Sequence, residues 1–148
     1  MTTKKWVPVS SCMIEGVVEI DGRLDVLSAL KLMKETDGTS LIVKRRDEHD
    51  EYGMLLFSDI AREVLAKNRA PERVSVYEIM VKPVLTVRAD MEIRYCARLF
   101  EQFGISQAPV TKDNKIVGLV SYYLLVLHGM LPELEGGDYP TTPSGQSV

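Results

Sequence analysis

Residues 104–121 run Gly104-Ile105-Ser106-Gln107-Ala108-Pro109-Val110-Thr111-Lys112-Asp113-Asn114-Lys115-Ile116-Val117-Gly118-Leu119-Val120-Ser121. Two largely apolar runs, Gln107–Thr111 and Lys115–Val120, flank the polar triplet Lys112-Asp113-Asn114. Asp and Asn tolerate tight backbone turns, so the triplet predicts a hairpin and the flanking runs predict its two strands. Upstream, Ile93, Cys96, Ala97 and Phe100 recur at i, i+3, i+4 and i+7, the spacing of one helical face. A short β run, Val84–Val87, precedes that helix. Downstream, Ser121 is placed to cap a second helix, about Tyr122–His128, with Gly129 as its C-terminal stop. The predicted order is βαββα.

The same order occurs once before. A shift of 67 residues lays Ile79-Met80 on Cys12-Met13, Val84–Val87 on Val17–Ile20, and Ala108-Pro109-Val110 on Leu41-Ile42-Val43. It also lays Ile93, Cys96, Ala97 and Phe100 on Val26, Ala29, Leu30 and Met33. Gly118 then matches Gly53 at a shift of 65, so the earlier copy carries two extra residues before its glycine. Its strands are expected at Ser40–Lys44 and Tyr52–Phe57, and its closing helix at about Asp59–Lys67. Two copies are too few for a solenoid; two similar α/β repeats packed with pseudo-two-fold symmetry are the expected architecture. The organisation reads as an N-terminal segment (1–9), repeat 1 (10–68), a linker (69–75), repeat 2 (76–131) and a flexible tail (132–148) rich in Gly, Pro, Ser and Thr.

The chain has 148 residues, 45% hydrophobic and 26% charged, a globular composition at the size of one ordinary domain. A net charge of -3 gives no general attraction to nucleic acid. No apolar run approaches the length of a membrane span, and Met1-Thr2-Thr3-Lys4-Lys5-Trp6 lacks the apolar stretch of a signal peptide. A cytoplasmic protein with neither membrane nor nucleic acid as partner is expected. Cys12 and Cys96 sit in no CxxC or Cys/His cluster and read as buried thiols. There is no phosphate-binding loop of the GxxxxGK[ST] type, no GxGxxG, no GxSxG and no HExxH, and no nucleophile, metal set or acid–base pair is readable. The acidic run Asp47-Glu48-His49-Asp50-Glu51 lacks calcium-loop spacing and reads as a solvated hairpin tip beside Arg45 and Arg46. No catalytic or metal-ligating residue is assigned.

The ordered set Ile79-Met80, Pro83–Val87, Gly104–Val110 and Ile116–Ser121 resembles the CBS domain, named after cystathionine β-synthase. Val17–Ile20 and Gly53-Met54-Leu55-Leu56-Phe57-Ser58-Asp59 resemble it more loosely. The resemblance covers about residues 10–130 and implies a tandem pair, a Bateman module, with α/β (α+β) repeats of order βαββα. It implies a regulatory rather than catalytic protein. Such a module binds an adenosine-containing ligand (AMP, ADP, ATP or S-adenosylmethionine) between the repeats and signals to a partner protein. It requires no cofactor, and many such modules pair as homodimers.

Carried over residue by residue, the resemblance puts Asp59 where a carboxylate accepts hydrogen bonds from the ribose hydroxyls, with Ser58 before it. The opposing wall would be Val84, Leu85 and Thr86 with Ile105, Ser106, Ala108 and Pro109. Two departures bear on phosphate: Leu56 stands where a hydroxyl residue is frequent, and Gln107 where an arginine is frequent. A second cleft would use Ser121 with Gly16, Val17, Val18, Gly38, Thr39, Ser40, Leu41 and Ile42, but Leu124 replaces its carboxylate, so it is expected to be empty or to hold something else. The alternative implied by Leu56, Gln107 and Leu124 is a degenerate pair acting as a dimerisation or protein-interaction module. The run Tyr122-Tyr123-Leu124-Leu125-Val126-Leu127 is apolar on every face of its helix, which predicts a partner surface, first of all a second copy.

Overall fold

The structure is a computed structural model that describes residues 5–136. It divides into two compact units. One comprises Val18–Val84; the other joins the residues up to Val17 to those from Leu85 onward. Each holds a three-stranded sheet of mixed direction.

In the Val18–Val84 unit, β1 (Glu19–Ile20) runs parallel to β2 (Ser40–Val43) through the crossover helix α1 (Val26–Thr36), and β3 (Gly53–Leu56) returns antiparallel to β2. The chain then enters α2 (Phe57–Ile60), continued by a π-helical segment, Ala61–Leu65. A short helix, α3 (Val76–Ile79), ends the unit. The split unit repeats this order as β4 (Val87–Arg88), α4 (Ile93–Phe103), β5 (Gln107–Lys112), β6 (Lys115–Ser121) and α5 (Tyr122–Leu124). A π-helical segment, Leu125–Met130, and α6 (Leu131–Leu134) follow. The predicted βαββα order therefore holds in both copies.

The register explains the change of shift from 67 to 65. Val43 pairs with Gly53, and Val110 pairs with Gly118. The copies match up to that rung, so the two extra residues of the first copy fall in the loop before Gly53. Corresponding helix faces are buried alike: Val26, Ala29 and Met33 on α1, Ile93, Cys96 and Phe100 on α4. Their caps correspond too. Asp25 accepts a hydrogen bond from the Ser28 N–H at 3.0 Å, and Glu92 accepts one from the Arg94 N–H at 2.8 Å. Each cap satisfies an N–H that the helix's first turn leaves unpaired.

The duplication extends further upstream than the matched motifs. Val7 O accepts from the Ile93 N–H (2.9 Å) and the Val9 N–H donates to Met91 O (2.7 Å). Sixty-seven residues on, Val74 O accepts from the Val26 N–H and the Val76 N–H donates to Leu24 O, both at 2.8 Å. The two copies thus exchange their leading segments: residues 7–14 pack with the second copy's helix and sheet, residues 74–81 with the first's. Val7, Val9 and Val76 are fully buried and Val74 is 1% exposed. A fully buried valine contributes about 1.5–3 kcal/mol, so these segments are parts of the two cores.

The exchange requires the two matched glycines. Ile14 bridges to Leu119 beside Gly118, and Val81 bridges to Met54 beside Gly53. A Cβ at Gly118 would meet Ile14 O and the Met13 sulfur, both at 2.7 Å; one at Gly53 would meet the Met80 sulfur at 2.9 Å and Val81 O at 3.1 Å.

Three local expectations are revised. Helical structure does not stop at Gly129; it runs on to Leu134. Gly129 is there for clearance, since a Cβ on it would stand 3.0 Å from Ile93 Cδ1. Residues 132–136, expected in the tail, are accordingly structured, while 137–148 lie outside the described residues. The acidic loop is only partly a solvated tip. Glu48 and His49 are exposed, but the Asp50 side chain is 8% exposed and accepts from the Arg46 backbone N–H and from Lys82 Nζ, each at 2.9 Å.

Candidate functional site

The turn from β3 into α2 carries the residues expected to contact a ligand in the Val18–Val84 unit. Leu56 is extended (φ -111°, ψ 156°) and the helix begins at Phe57, so Ser58 and Asp59 lie in its first turn. Asp59 is 3% exposed. Its Oδ2 accepts from the Leu56 N–H at 2.9 Å, and its Oδ1 accepts from Arg62 Nη2 at 2.9 Å. Arg62 is on the same helix, three residues on, with its side chain 63% exposed. A carboxylate offers about four acceptor positions, so two remain beyond these bonds.

Leu56 pairs with Ser40 and Leu55 with Leu41 across the β2–β3 ladder, and Val18 O accepts from the Ile42 N–H at 2.9 Å. Val18, Thr39 and Leu41, expected for the second cleft, therefore lie at the same end of this sheet as Ser58 and Asp59. Ser40, also expected for the second cleft, adds a feature that only the structure shows. It is 7% exposed and its hydroxyl has no hydrogen-bond partner. Buried hydroxyls are generally bonded. Val84 is tied to this unit by its N–H, which donates to Tyr52 O at 3.0 Å.

The other expected residues belong to the split unit. Ala108 pairs with Val120, Pro109 with Leu119 and Gln107 with Ser121. The Tyr122 N–H donates to Ser106 O at 3.1 Å, so Ile105 and Ser106 adjoin the start of α5. Ser121 serves as the expected cap, its hydroxyl accepting from the Leu124 N–H at 3.3 Å, and Leu124 is 5% exposed. Leu85 and Thr86 lead into β4, and Gly16, with φ +79°, turns the chain into Val17. A hollow of about 780 Å³ in this unit is lined instead by Trp6, Met13, Arg88 and the hairpin tip Lys112-Asp113-Asn114; none of the expected contact residues lines it.

The last helices carry the exposed apolar surface expected of them. Tyr123, Val126, Met130 and Leu134 are between 42% and 62% exposed. Val126, Met130 and Leu134 line a groove of about 170 Å³ with Ile93, Ala97 and Leu125. At its margin Arg94 bonds to Glu92 at 2.6 Å and also pairs with Glu133. Burial pushes the thiols of Cys12 and Cys96 up to about 12, helped at Cys12 by the neighbouring Cys96. Among the described residues no group of three or more His, Cys, Asp or Glu is placed to hold a metal ion, and no helix is long and apolar enough to cross a membrane.

Comparison with known proteins agrees with this architecture. The CBS domain family model matches residues 76–126. A hexameric CBS-CP12 protein from bloom-forming cyanobacteria is 36% identical, with a TM-score of 0.80 over 83% of this chain and 71% of that one. The chain belongs to the CBS domain family, as a pair of CBS repeats. An uncharacterised protein of Methanopyrus kandleri is 32% identical over 94 residues, 63% of this chain; the match spans 47% of that relative's length. The fold is shared with a CBS domain pair solved in complex with 5′-methylthioadenosine and S-adenosyl-L-methionine, at 23% identity and a TM-score of 0.70 over 82% of this chain and 94% of that one.

Proposed function

We propose that this chain is a regulatory, non-catalytic sensing module that binds an adenosine-containing ligand at Asp59 and signals to a partner protein. The observation that carries the reading is a carboxylate held at the first turn of α2, 3% exposed, with acceptor capacity beyond its two intramolecular bonds. A ribose offers it two adjacent hydroxyl donors. The unpartnered Ser40 hydroxyl, on the strand paired to Leu56, adds a second polar group whose bonding is incomplete. The fold relative in complex with methylthioadenosine and S-adenosylmethionine supports the ligand class. In this reading Ser58 and Val84, which belong to the same unit as Asp59, lie beside the ligand. Ser121 acts as a helix cap, and no nucleotide is assigned to it, because Leu124 offers no ribose acceptor. The test is equilibrium binding of AMP, ADP, ATP and S-adenosylmethionine to the wild type and to Asp59→Asn. Binding is expected to at least one of them, with affinity at least tenfold weaker in the variant.

A second reading is favoured by the apolar surface on the last helices: assembly of copies through the groove between α4 and the Leu125–Leu134 stretch. The hexameric relative supports assembly. A homodimer predicts twice the 16.6 kDa chain mass in light scattering; a monomer at all concentrations would remove this reading and leave the first standing.

A further inference from the structure

We propose that Arg62 sets the ligand preference of the Asp59 site: it occupies the carboxylate while the site is empty and engages the ligand's phosphate once the ribose has displaced it. The inference rests on the reading of Asp59 as a ribose acceptor. Asp59 Oδ2 is committed to the Leu56 N–H, a bond internal to the turn. Oδ1 is held by Arg62 Nη2 at 2.9 Å. Each oxygen keeps one acceptor position, so a ribose that places both hydroxyls on Oδ1, the oxygen not tied to the turn, needs the position that Arg62 holds.

The two ends of that ion pair differ in freedom. The Asp59 side chain is 4% exposed and fixed by the turn, whereas the Arg62 side chain is 63% exposed. Arg62 is therefore the partner that yields. Helical side chains lean toward the N-terminus and cover the preceding turn, so a displaced guanidinium stays beside Asp59. There it presents a planar fork of donors suited to phosphate oxygens. Arg62 supplies this positive charge from the helix that carries the carboxylate. A nucleoside bears the loss of the Asp59–Arg62 bond with nothing in return, while a nucleotide replaces it with an Arg62–phosphate bond.

The experiment is calorimetric titration of the full chain with adenosine and with AMP, for the wild type, Arg62→Ala, Arg62→Gln and Asp59→Asn. Circular dichroism confirms folding, and Arg62→Gln keeps most of the side chain's length should Arg62→Ala unfold. The wild type is expected to bind AMP at least tenfold more tightly than adenosine. In both Arg62 variants adenosine affinity should hold or rise up to about tenfold, while AMP affinity falls at least tenfold, so the preference collapses toward one. If both affinities change in parallel, or neither changes, the role of Arg62 is overturned while the Asp59 site stands, provided Asp59→Asn weakens both ligands. If the wild type binds neither ligand, or Asp59→Asn binds both as the wild type does, the reading of Asp59 falls and this role of Arg62 with it.

Discussion

The Met13 sulfur lies over Gly118, only 2.7 Å from where a Cβ on that residue would stand. The matched pair, Met80 over Gly53, stands at 2.9 Å. In each case a leading segment crosses to the sheet of the other copy at the rung that the glycine leaves open. Gly118→Ala and Gly53→Ala should each destabilise by about 1–3 kcal/mol, the usual cost of overpacking. Gly118→Ala should cost more, because the backbone oxygen a Cβ would meet there stands at 2.7 Å, against 3.1 Å at Gly53. Urea denaturation checks this. Wild-type midpoints for both variants would contradict the exchange.

The exchanged segments should also be equivalent in energy. Val7→Ala and Val74→Ala each empty part of a core in which the valine is at most 1% exposed. Each should lower stability by about 1–3 kcal/mol, the lost transfer energy plus a small cavity. A near-neutral Val7→Ala would mean that the N-terminal segment is loosely attached.

Asp50 should give the chain an acid-sensitive step. Its hydrogen bonds with Arg46, and then with Lys82, hold its carboxyl far below the usual carboxylate range. A folded-state pKa below the unfolded value stabilises the fold above about pH 4, and that stability is lost as pH falls from there toward the folded value. Asp50→Asn should therefore melt lower than the wild type at pH 7, with a gap that narrows below pH 4. A gap constant from pH 7 to pH 3 would show that the charge of Asp50 is not the cause.

The two thiols should be inert in the folded protein. With both raised to about 12, mainly by burial, the reactive thiolate is scarce at pH 8. Iodoacetamide at pH 8 should leave Cys12 and Cys96 unmodified in the native protein and label both in denaturant. Stoichiometric labelling within minutes under native conditions would contradict their burial.

The repeated βαββα order was legible because hydrophobic spacing reports which residues are buried, and Val26, Ala29 and Met33 are buried as their counterparts on α4 are. Spacing does not report what they are buried against. Val7 and Val9 fell in an N-terminal segment with no assigned packing, and Val74 in the linker, because the neighbours that bury them come from the other copy. The Asp50 loop misled for a related reason. Three of the five residues in its acidic run are exposed acids, and the fourth acid, Asp50, finds Lys82 thirty-two residues away. The Ser121 cap could be picked out because helix starts have recognisable chemistry, whereas Ser58 and Asp59 were placed by the resemblance to the CBS domain. Arg62 was missed, although its i, i+3 spacing from Asp59 is a visible ion-pair signal. Ser40 was expected only as lining of the second cleft, because an unpartnered hydroxyl shows only in three dimensions.

Whether a ligand binds at Asp59 is tested most directly by thermal denaturation of the wild type and Asp59→Asn with AMP, ADP, ATP or S-adenosylmethionine. A ligand at one hundred times its dissociation constant adds about 2.7 kcal/mol, which at this chain length raises the melting temperature by about 5–10 °C. Such a rise is expected with at least one of the four, and its loss in Asp59→Asn. Unmoved melting curves with all four at millimolar concentration, or an equal rise in the variant, would contradict it.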